Sequence, residues 1–237
     1  MIDSQMQRLD ILAALHARRS TRAFLRTPVS KRTVEAILAD ASRSPSASNT
    51  QPWRVYACTG ETRDRLSAEL VALHLSGGEG HHEEYVYYPP VWREPYLERR
   101  REIGKALYGV LGIAKGDTVA MARQYARNYS FFGAPVGLFF TIERDHAQAA
   151  WLDLGAFLHA VMVAATGHGL GTCAQQAFAR YHRPIRQQLG IPATELLVCG
   201  MSLGFPDLSA PENHLCTRRE PVAAFSSFFG FDAPGSD

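Results

Sequence analysis

The chain has 237 residues, of which 46% are hydrophobic and 20% are charged, and this composition is sufficient for a substantial buried core. The formal net charge of +2 argues against a general affinity for nucleic acid or for an anionic membrane. Four cysteines lie far apart without CxxC spacing, which argues against a zinc ribbon or a disulfide framework. We therefore expect one cytoplasmic domain over residues 1–237, without metal, nucleic acid or membrane.

Helical patterns and one strand make up the first part of the chain. Apolar residues at helical spacing predict a helix over about 8–18 and another over 30–43, in which Ser30 is the N-cap. A strand is predicted over 53–60, and a helix over 61–75 follows it.

An irregular, aromatic-rich segment interrupts the pattern at 76–98, where glycines and prolines break every periodicity. Long loops of this kind are usually functional or disordered, and the density of aromatic side chains argues against disorder. Polar helical patterns follow over 95–111 and 117–127. We expect these parts to form an insertion at about 74–127 within the single domain.

The most apolar elements lie in the second half. A continuous apolar run over 134–143 predicts a central strand that is buried on both faces. Residues 147–169 are apolar nearly all round, as in a helix that passes through a core. A helix near 177–189 and a buried strand at 195–204 complete an order that predicts an α+β fold, with a mixed central sheet flanked by helices.

The strongest local charge signal is "ARRSTRAF", in which Arg18, Arg19 and Arg22 surround Ser20. Cations often gather at a helix C-terminus because they complement the helix dipole there. Three guanidinium groups beside a hydroxyl are equally suited to forked hydrogen bonds with a phosphate or with the edge of a polar ring. Both interpretations are open from the residues alone.

A dense set of small polar side chains stands between two prolines in "SPSASNTQPWR", residues 44–54. Its hydroxyl and amide groups would suit hydrogen bonds to the rim of a planar heterocycle, and the prolines stiffen both ends. A purely structural Asx or ST turn is the alternative.

Several other motifs favour structural roles. "TGHGLGT" (166–172) follows a helix and lacks GxGxxG spacing, so we interpret it as a helix C-terminal stop with left-handed glycines. "HHEE" (81–84) is typical of a solvated loop, since adjacent loop residues usually point apart. Cys173 and Cys199 lie in apolar surroundings and are expected to be inert buried thiols.

Taken in order, five motifs resemble the FMN-dependent nitroreductase superfamily, most closely its bacterial nitrobenzoate and dinitroaniline reductase branch. The resemblance covers about residues 9–222, and the ordered set is more specific than any single motif. The motifs are "RRSTRAF", "SPSASNTQPWRVY", "NYSFFGAPVGLFF", "GHGLGTCAQQAF" and "ELLVCGMSLGFPD".

The resemblance implies an intertwined homodimer with FMN at the subunit interface, reduced by NADH or NADPH. The phosphate, ribityl chain and pyrimidine edge of FMN would meet the arginine cluster. The 46–49 turn of one subunit would contact the flavin of the other subunit. The backbone near 175–177 would lie beside flavin N5. The implied cofactor-binding residues are Arg18, Arg19, Ser20, Arg22, Ser46, Ala47, Ser48, Asn49, Asn128, Gln175, Gln176, Ala177 and Arg219.

Two positions depart from the enteric-type members of that superfamily. Those proteins carry a Pro-x-Glu-Gly segment beside N5, where this chain has residues 174–177, "AQQA". The backbone of this segment can still provide an N–H donor, but the segment has no acidic side chain. Thr217 replaces a phosphate-side lysine, which leaves Arg219 and its neighbour to supply the charge.

The expected activity is ping-pong reduction of a nitroaromatic through flavin N5, from nitro to nitroso to hydroxylamine. Tyr88, Trp92 and Tyr96 of the aromatic segment are the candidate substrate wall, because planar rings stack favourably. A flap that packs its aromatics against its own subunit is the alternative. Reductive dehalogenation, quinone or enone reduction, and flavin binding without turnover are the alternative functions.

Overall fold

The computed structural model describes residues 10–231, and its centre is a four-stranded sheet. The strands lie in the order β1-β2-β4-β3, and each neighbouring pair is antiparallel. They comprise β1 (Arg54–Thr59), β2 (Val136–Glu143), β3 (Gly171–Gln175) and β4 (Glu195–Gly204).

Seven α-helices surround this sheet within residues 10–231: α1 (Ile11–Ala17), α2 (Lys31–Ala41), α3 (Gly60–Leu75), α4 (Tyr96–Val110), α5 (Thr118–Ala126), α6 (Gln148–Gly167) and α7 (His182–Leu189). Side-chain caps begin three of them. The hydroxyl of Ser30 accepts a hydrogen bond from the Thr33 amide at 3.0 Å, and Asp10 and Asp117 cap α1 and α5 in the same way.

The sheet has an apolar core on each face, as the alternation of side chains along β2 requires. Leu138 and Phe140 face α2 and α6, where Phe157 stacks on Trp53 at 4.6 Å between ring centroids. Phe139 points to the opposite face, in the core that α3 and α7 cover. The prediction that β2 is buried on both faces is therefore confirmed.

The α+β prediction is confirmed, and the positions of most elements agree with those expected from the sequence. The main miss is β3, because no strand is predicted at 171–175 and its first two residues belong to the segment 166–172 that is interpreted as a helix stop. Gly169 does adopt the expected left-handed conformation, with φ of 70°, but the chain pairs with β4 immediately afterwards. A second difference is that Gln176–Tyr181 forms a 3-10 turn ahead of α7.

The sheet was predicted to be mixed, but its four strands pair only in antiparallel fashion. Parallel pairing is confined to one isolated bridge in residues 10–231, between Ser20 and Thr172 of β3. Here Gly171 packs against the Thr21 side chain, so closely that a Cβ atom at this position would overlap it. Because glycine has no Cβ atom, the segment that carries Arg18, Arg19 and Arg22 can lie along the edge of the sheet.

Helix α6 is long and apolar enough to cross a membrane by length and composition. One side of it, including Leu154, Phe157 and Val161, is buried in the core. On the opposite side Leu152 is 78% exposed within residues 10–231. The expected core helix is therefore buried on one side only.

Candidate active site

A cavity of about 330 Å³ lies where the aromatic segment crosses the ends of β3 and β4. Tyr87 and Tyr88 come from that segment, Tyr125 from α5 and Leu158 from α6. The remaining lining residues are Asn128, Ala174, Gln175, Gln176, Ala177, Val198 and Cys199. Among the lining residues described there is no carboxylate, imidazole, lysine or arginine.

Burial keeps the reactive side chains of this cavity protonated at neutral pH. It raises the pKa of the Cys199 thiol to about 12, so this cysteine is not a nucleophile. Burial also raises the pKa values of Tyr87 and Tyr125, with smaller contributions from neighbouring tyrosines and Glu83. The phenols of Tyr87 and Tyr125 are therefore neutral hydrogen-bond donors.

The side chain of Gln175 is locked inside the protein and is 3% exposed. Its amide nitrogen donates to the Asn128 carbonyl at 2.6 Å, and its oxygen accepts from the Ser202 hydroxyl at 2.6 Å. A cofactor in the cavity could therefore meet only the backbone here. The 3-10 turn that begins at Gln176 offers N–H groups that have no acceptor within the turn itself.

The arginine cluster lies beside the same strand. Ser20 bridges Thr172, three residues before the cavity-lining Gln175, which corresponds to about 10 Å of strand. Arg18 and Arg19 line a separate cleft of about 330 Å³, and Arg19 is exposed. Positive charge and the aromatic cavity thus lie along one edge of the sheet.

Buried polar side chains fix the backbone of this segment. The amide oxygen of Asn213 accepts from the Arg22 backbone N–H at 2.7 Å, and its nitrogen donates to the Ala23 carbonyl at 2.8 Å. Arg127 donates to the Arg22 carbonyl at 2.8 Å and pairs with Glu212 at 2.7 Å. Asn213 and Glu212 are 6% and 5% exposed. No motif in the sequence indicated that these two residues support the arginine cluster.

The polar turn at 46–49 lies at the surface, and none of its residues lines the cavity. Ser48, Asn49 and Gln51 have φ values of 50°, 57° and 48°, a left-handed conformation that is unfavourable for residues other than glycine. The backbone N–H of Ala47 donates to the Asp153 carboxylate on α6 at 3.2 Å. Strain of this kind is concentrated at functional sites.

The three candidate substrate residues lie at different distances from the cavity. Tyr88 lines it, and Trp92 lies behind Tyr88 with ring centroids 5.4 Å apart. The Arg100 guanidinium covers both rings, at 5.6 and 5.0 Å. Tyr96 does not line the cavity. It is the first residue of α4, and 60% of it is exposed.

Arg219 lies apart from the other proposed cofactor ligands, in a groove between α4 and the chain segment 215–220. Its guanidinium donates to the Thr217 hydroxyl at 2.5 Å and to the Arg218 carbonyl at 2.9 Å. It is exposed in this chain.

The "HHEE" motif anchors the aromatic segment. Glu84 accepts from Arg144 at 2.6 Å and from Arg186 at 3.2 Å, which ties the loop to β2 and α7. Its other neighbour is His182, whose pKa burial lowers below the usual value, so this 3.2 Å contact is not an ion pair at neutral pH. Within residues 10–231 no group of three or more His, Cys, Asp or Glu could hold a metal ion.

Sequence reasoning missed Tyr125, which lines the cavity together with Tyr87. The sequence signal was the four-residue spacing of Tyr125 and Tyr129. In the structure the centroids of these two rings are 6.1 Å apart. The expected burial of Cys173 and Cys199 is confirmed, at 4% and 2% exposure.

Characterised proteins similar to this chain are nitroaromatic reductases. The 4-nitrobenzoate reductase of Pseudomonas putida is 40% identical over 223 residues, covering 94% of this chain and 97% of the relative. The nitrobenzene nitroreductase of Ectopseudomonas oleovorans is also 40% identical, over 211 residues that cover 89% of this chain and 93% of the relative.

Solved structures agree in fold. The FMN and NADPH-dependent nitroreductase NfnB from Sphigopyxis sp. strain HMH superposes with a TM-score of 0.91 at 36% identity, covering 94% of this chain and all (100%) of that one. NfnB from Mycobacterium smegmatis, solved in complex with NADPH, has a TM-score of 0.86 at 30% identity and covers 91% and 96%. The family model "Nitroreductase family" matches residues 15–205. This protein therefore belongs to the nitroreductase family.

Proposed function

We propose that this protein is an FMN-dependent oxidoreductase that uses NADH or NADPH to reduce nitroaromatic compounds. The observation that carries the proposal is an aromatic cavity whose described lining has no carboxylate, imidazole, lysine or arginine, beside a cluster of arginines. Bound FMN would supply hydride chemistry there, whereas the protein binds and orients the reactants. The names of the 40% identical relatives support nitroaromatics as the oxidants.

The residues of the chain fit FMN in charge and in hydrogen-bonding capacity. Arg18, Arg19 and Ser20 would hold the phosphate and ribityl chain, and Arg22 would place positive charge at the pyrimidine edge, where it stabilises negative charge. Asn128 donates its side-chain N–H to the Tyr125 carbonyl at 2.8 Å, which orients its oxygen as an acceptor. Backbone at 175–177 would provide donors near N5.

We further propose a homodimer in which the 46–49 turn of one subunit binds the flavin of the other. The turn is exposed and strained, and Asp153 on α6 holds it through the N–H of Ala47. The apolar outer side of α6 is exposed beside α1, where Ile11 and Leu12 are 69% and 65% exposed. A second copy would remove this apolar surface from water. Arg219 would add a phosphate contact from the exposed chain segment near 217–220.

One cavity is sufficient for both substrates in a ping-pong cycle, since the nicotinamide leaves before the nitroaromatic enters. Tyr88 would stack on the aromatic substrate, and Trp92 with Arg100 would hold Tyr88 in position. Tyr96 would contribute only through a movement of α4, since it lies outside the cavity.

The chain organisation supports a single domain. Strand β1 pairs with β2 although residues 74–127 lie between them in the chain. This pairing is expected if those residues are an insertion that does not form its own sheet. The two apolar cores share that sheet, which supports the proposal of one folding unit.

Anaerobic stopped-flow spectroscopy tests the proposed activity. The yellow holoprotein should be bleached by NADH or NADPH and reoxidised by nitrobenzene or 4-nitrobenzoate. Quinones and halophenols serve as competing oxidants. A flavin that neither nicotinamide reduces would refute the enzymatic function and favour a flavin-binding protein without turnover.

Asn49→Ala tests the contribution of the polar turn. The variant should assemble as the wild type does but release FMN more readily, with a dissociation constant raised about tenfold because one hydrogen-bonding side chain is lost. Equilibrium dialysis measures the constant, and an unchanged value would contradict the assigned role.

A further inference from the structure

A second cavity of about 390 Å³ adjoins the active-site cavity. The two cavities share Tyr87, Tyr125 and Ala177 in their linings, so these side chains form the wall between them. The second cavity is otherwise lined mainly by His74, Glu83, Tyr108, Met121, Tyr129 and Arg180. None of these residues lines the active-site cavity.

Hydrogen-bonding side chains surround this second space. His74 lies 5.1 Å from the rings of both Tyr125 and Tyr129. Burial raises the pKa values of these two tyrosines, and burial followed by the charge of Arg180 lowers that of His74. The phenols are therefore hydrogen-bond donors, and the imidazole is predominantly neutral at pH 7.

The two charged residues of the cavity have different surroundings. Arg180 donates to the backbone carbonyls of His81, Gly77 and Gly78 at 3.1 to 3.2 Å, so loop acceptors partly compensate its charge. Glu83 stands at the shared wall, where its carboxylate accepts from the Tyr87 hydroxyl at 3.4 Å. Among the described ion pairs there is none between Arg180 and Glu83.

We propose that the second cavity receives the substituent that a nitroaromatic substrate carries opposite its reacting nitro group, and that Glu83 makes this subsite favour uncharged hydrogen-bond acceptors over carboxylates. The inference rests on the proposed function and specifies its substrate class. The two cavities meet at the shared wall of Tyr87, Tyr125 and Ala177, so the substituent of a ring held beside Tyr88 would have to pass that wall to reach this space. An amide or a second nitro group there would accept hydrogen bonds from the phenols, whereas a carboxylate would also meet the charge of Glu83.

Steady-state kinetics of the holoenzyme with nitrobenzene, 4-nitrobenzamide and 4-nitrobenzoate test the proposal. Glu83→Gln should raise the ratio of kcat/KM for 4-nitrobenzoate to that for 4-nitrobenzamide about tenfold, because it removes a nearby like charge. Glu79→Gln is the matched control, since Glu79 is exposed in the same loop, and it should leave the ratio unchanged. An unchanged ratio in Glu83→Gln, or an equal rise in the control, would overturn the proposal.

Filling the cavity gives an independent test. Ala122→Leu on α5 enlarges a side chain that lines only the second cavity, and it suits a helix. It should lower kcat/KM for 4-nitrobenzamide about fivefold relative to that for nitrobenzene, by steric exclusion. Equal effects on both substrates would overturn the assignment of the subsite.

Binding of unreactive analogues provides a readout without turnover. Isothermal titration calorimetry should show that the holoprotein binds benzamide more tightly than benzoate, and that Glu83→Gln reduces the difference. The reverse preference in the wild type would contradict the proposal. If nitrobenzene itself is not reduced, the proposed function fails, whereas reduction of nitrobenzene without any response to Glu83 or Ala122 refutes only the second subsite.

Discussion

Glu84 offers a sharp test of how the aromatic segment is held over the cavity. The substitution Glu84→Gln keeps the shape of the side chain and one acceptor oxygen but removes its charge. In the wild type this carboxylate receives Arg144 at 2.6 Å and Arg186 at 3.2 Å, and its side chain is 19% exposed. Tyr87 and Tyr88 follow three and four residues later, so the anchor lies close to the substrate wall.

The expected loss of stability is about 2 kcal/mol, between the value below about 1 kcal/mol for a surface pair and about 3–5 kcal/mol for a broken buried pair. The intermediate value follows because Arg186 is 18% exposed whereas Arg144 is 38% exposed and partly screened by water. The guanidiniums also retain carbonyl acceptors, with Arg186 donating to Pro192 at 2.6 Å and Arg144 to Ala193 at 2.7 Å. For a chain of this size the loss corresponds to a Tm lower by about 4–8 °C.

Thermal unfolding of the FMN-saturated protein at pH 7, followed by circular dichroism, measures this difference. The matched control is again Glu79→Gln, which changes an exposed glutamate of the same loop and should keep the wild-type Tm. At 25 °C we also expect a several-fold higher KM for nitrobenzene in Glu84→Gln, because the loop that carries Tyr88 is less firmly held. A Tm within about 1 °C of the wild type would refute the estimate, since it would mean that the two contacts contribute as little as surface pairs.

Two further predictions concern the core. Gly200→Ala should destabilise the protein by about 2 kcal/mol in urea unfolding, because the new Cβ atom would overlap the buried Phe178 ring. A Cβ atom at Gly104 would have nothing within 4 Å, so Gly104→Ala should stabilise α4 by about 0.5–1 kcal/mol. Equal effects of the two substitutions would contradict this packing. Of the four cysteines, only the exposed Cys216 should react rapidly with Ellman's reagent in the folded protein, since burial raises the pKa of Cys58 to about 11 and that of Cys199 to about 12; a second fast thiol would show that a buried cysteine is accessible.

Local signals were sufficient to predict most helices and strands. Ser30 caps α2 as expected, because a serine ahead of an apolar periodic segment satisfies a free backbone N–H at the helix start. The apolar runs of β2 and β4 identified the two inner strands of the sheet, since an apolar core covers each face of the sheet at these strands. Strand β3 has only five residues and follows a glycine turn, so its pairing with β4 decided a conformation that local propensity left open.

By itself the sequence determined the α+β composition, the family resemblance and the residue types that suit a flavin, because these depend on local patterns and on chemistry carried within short motifs. Only the tertiary structure decided which of these residues meet. It placed Tyr88, Asn128 and the 175–177 backbone around one cavity, and it added Tyr125, Asn213 and Glu84, which come from distant parts of the chain. Their contacts depend on long-range packing, which leaves no periodic signal in the sequence. The same packing leaves the 46–49 turn outside the cavity of its own chain and separates Tyr96 from the substrate wall.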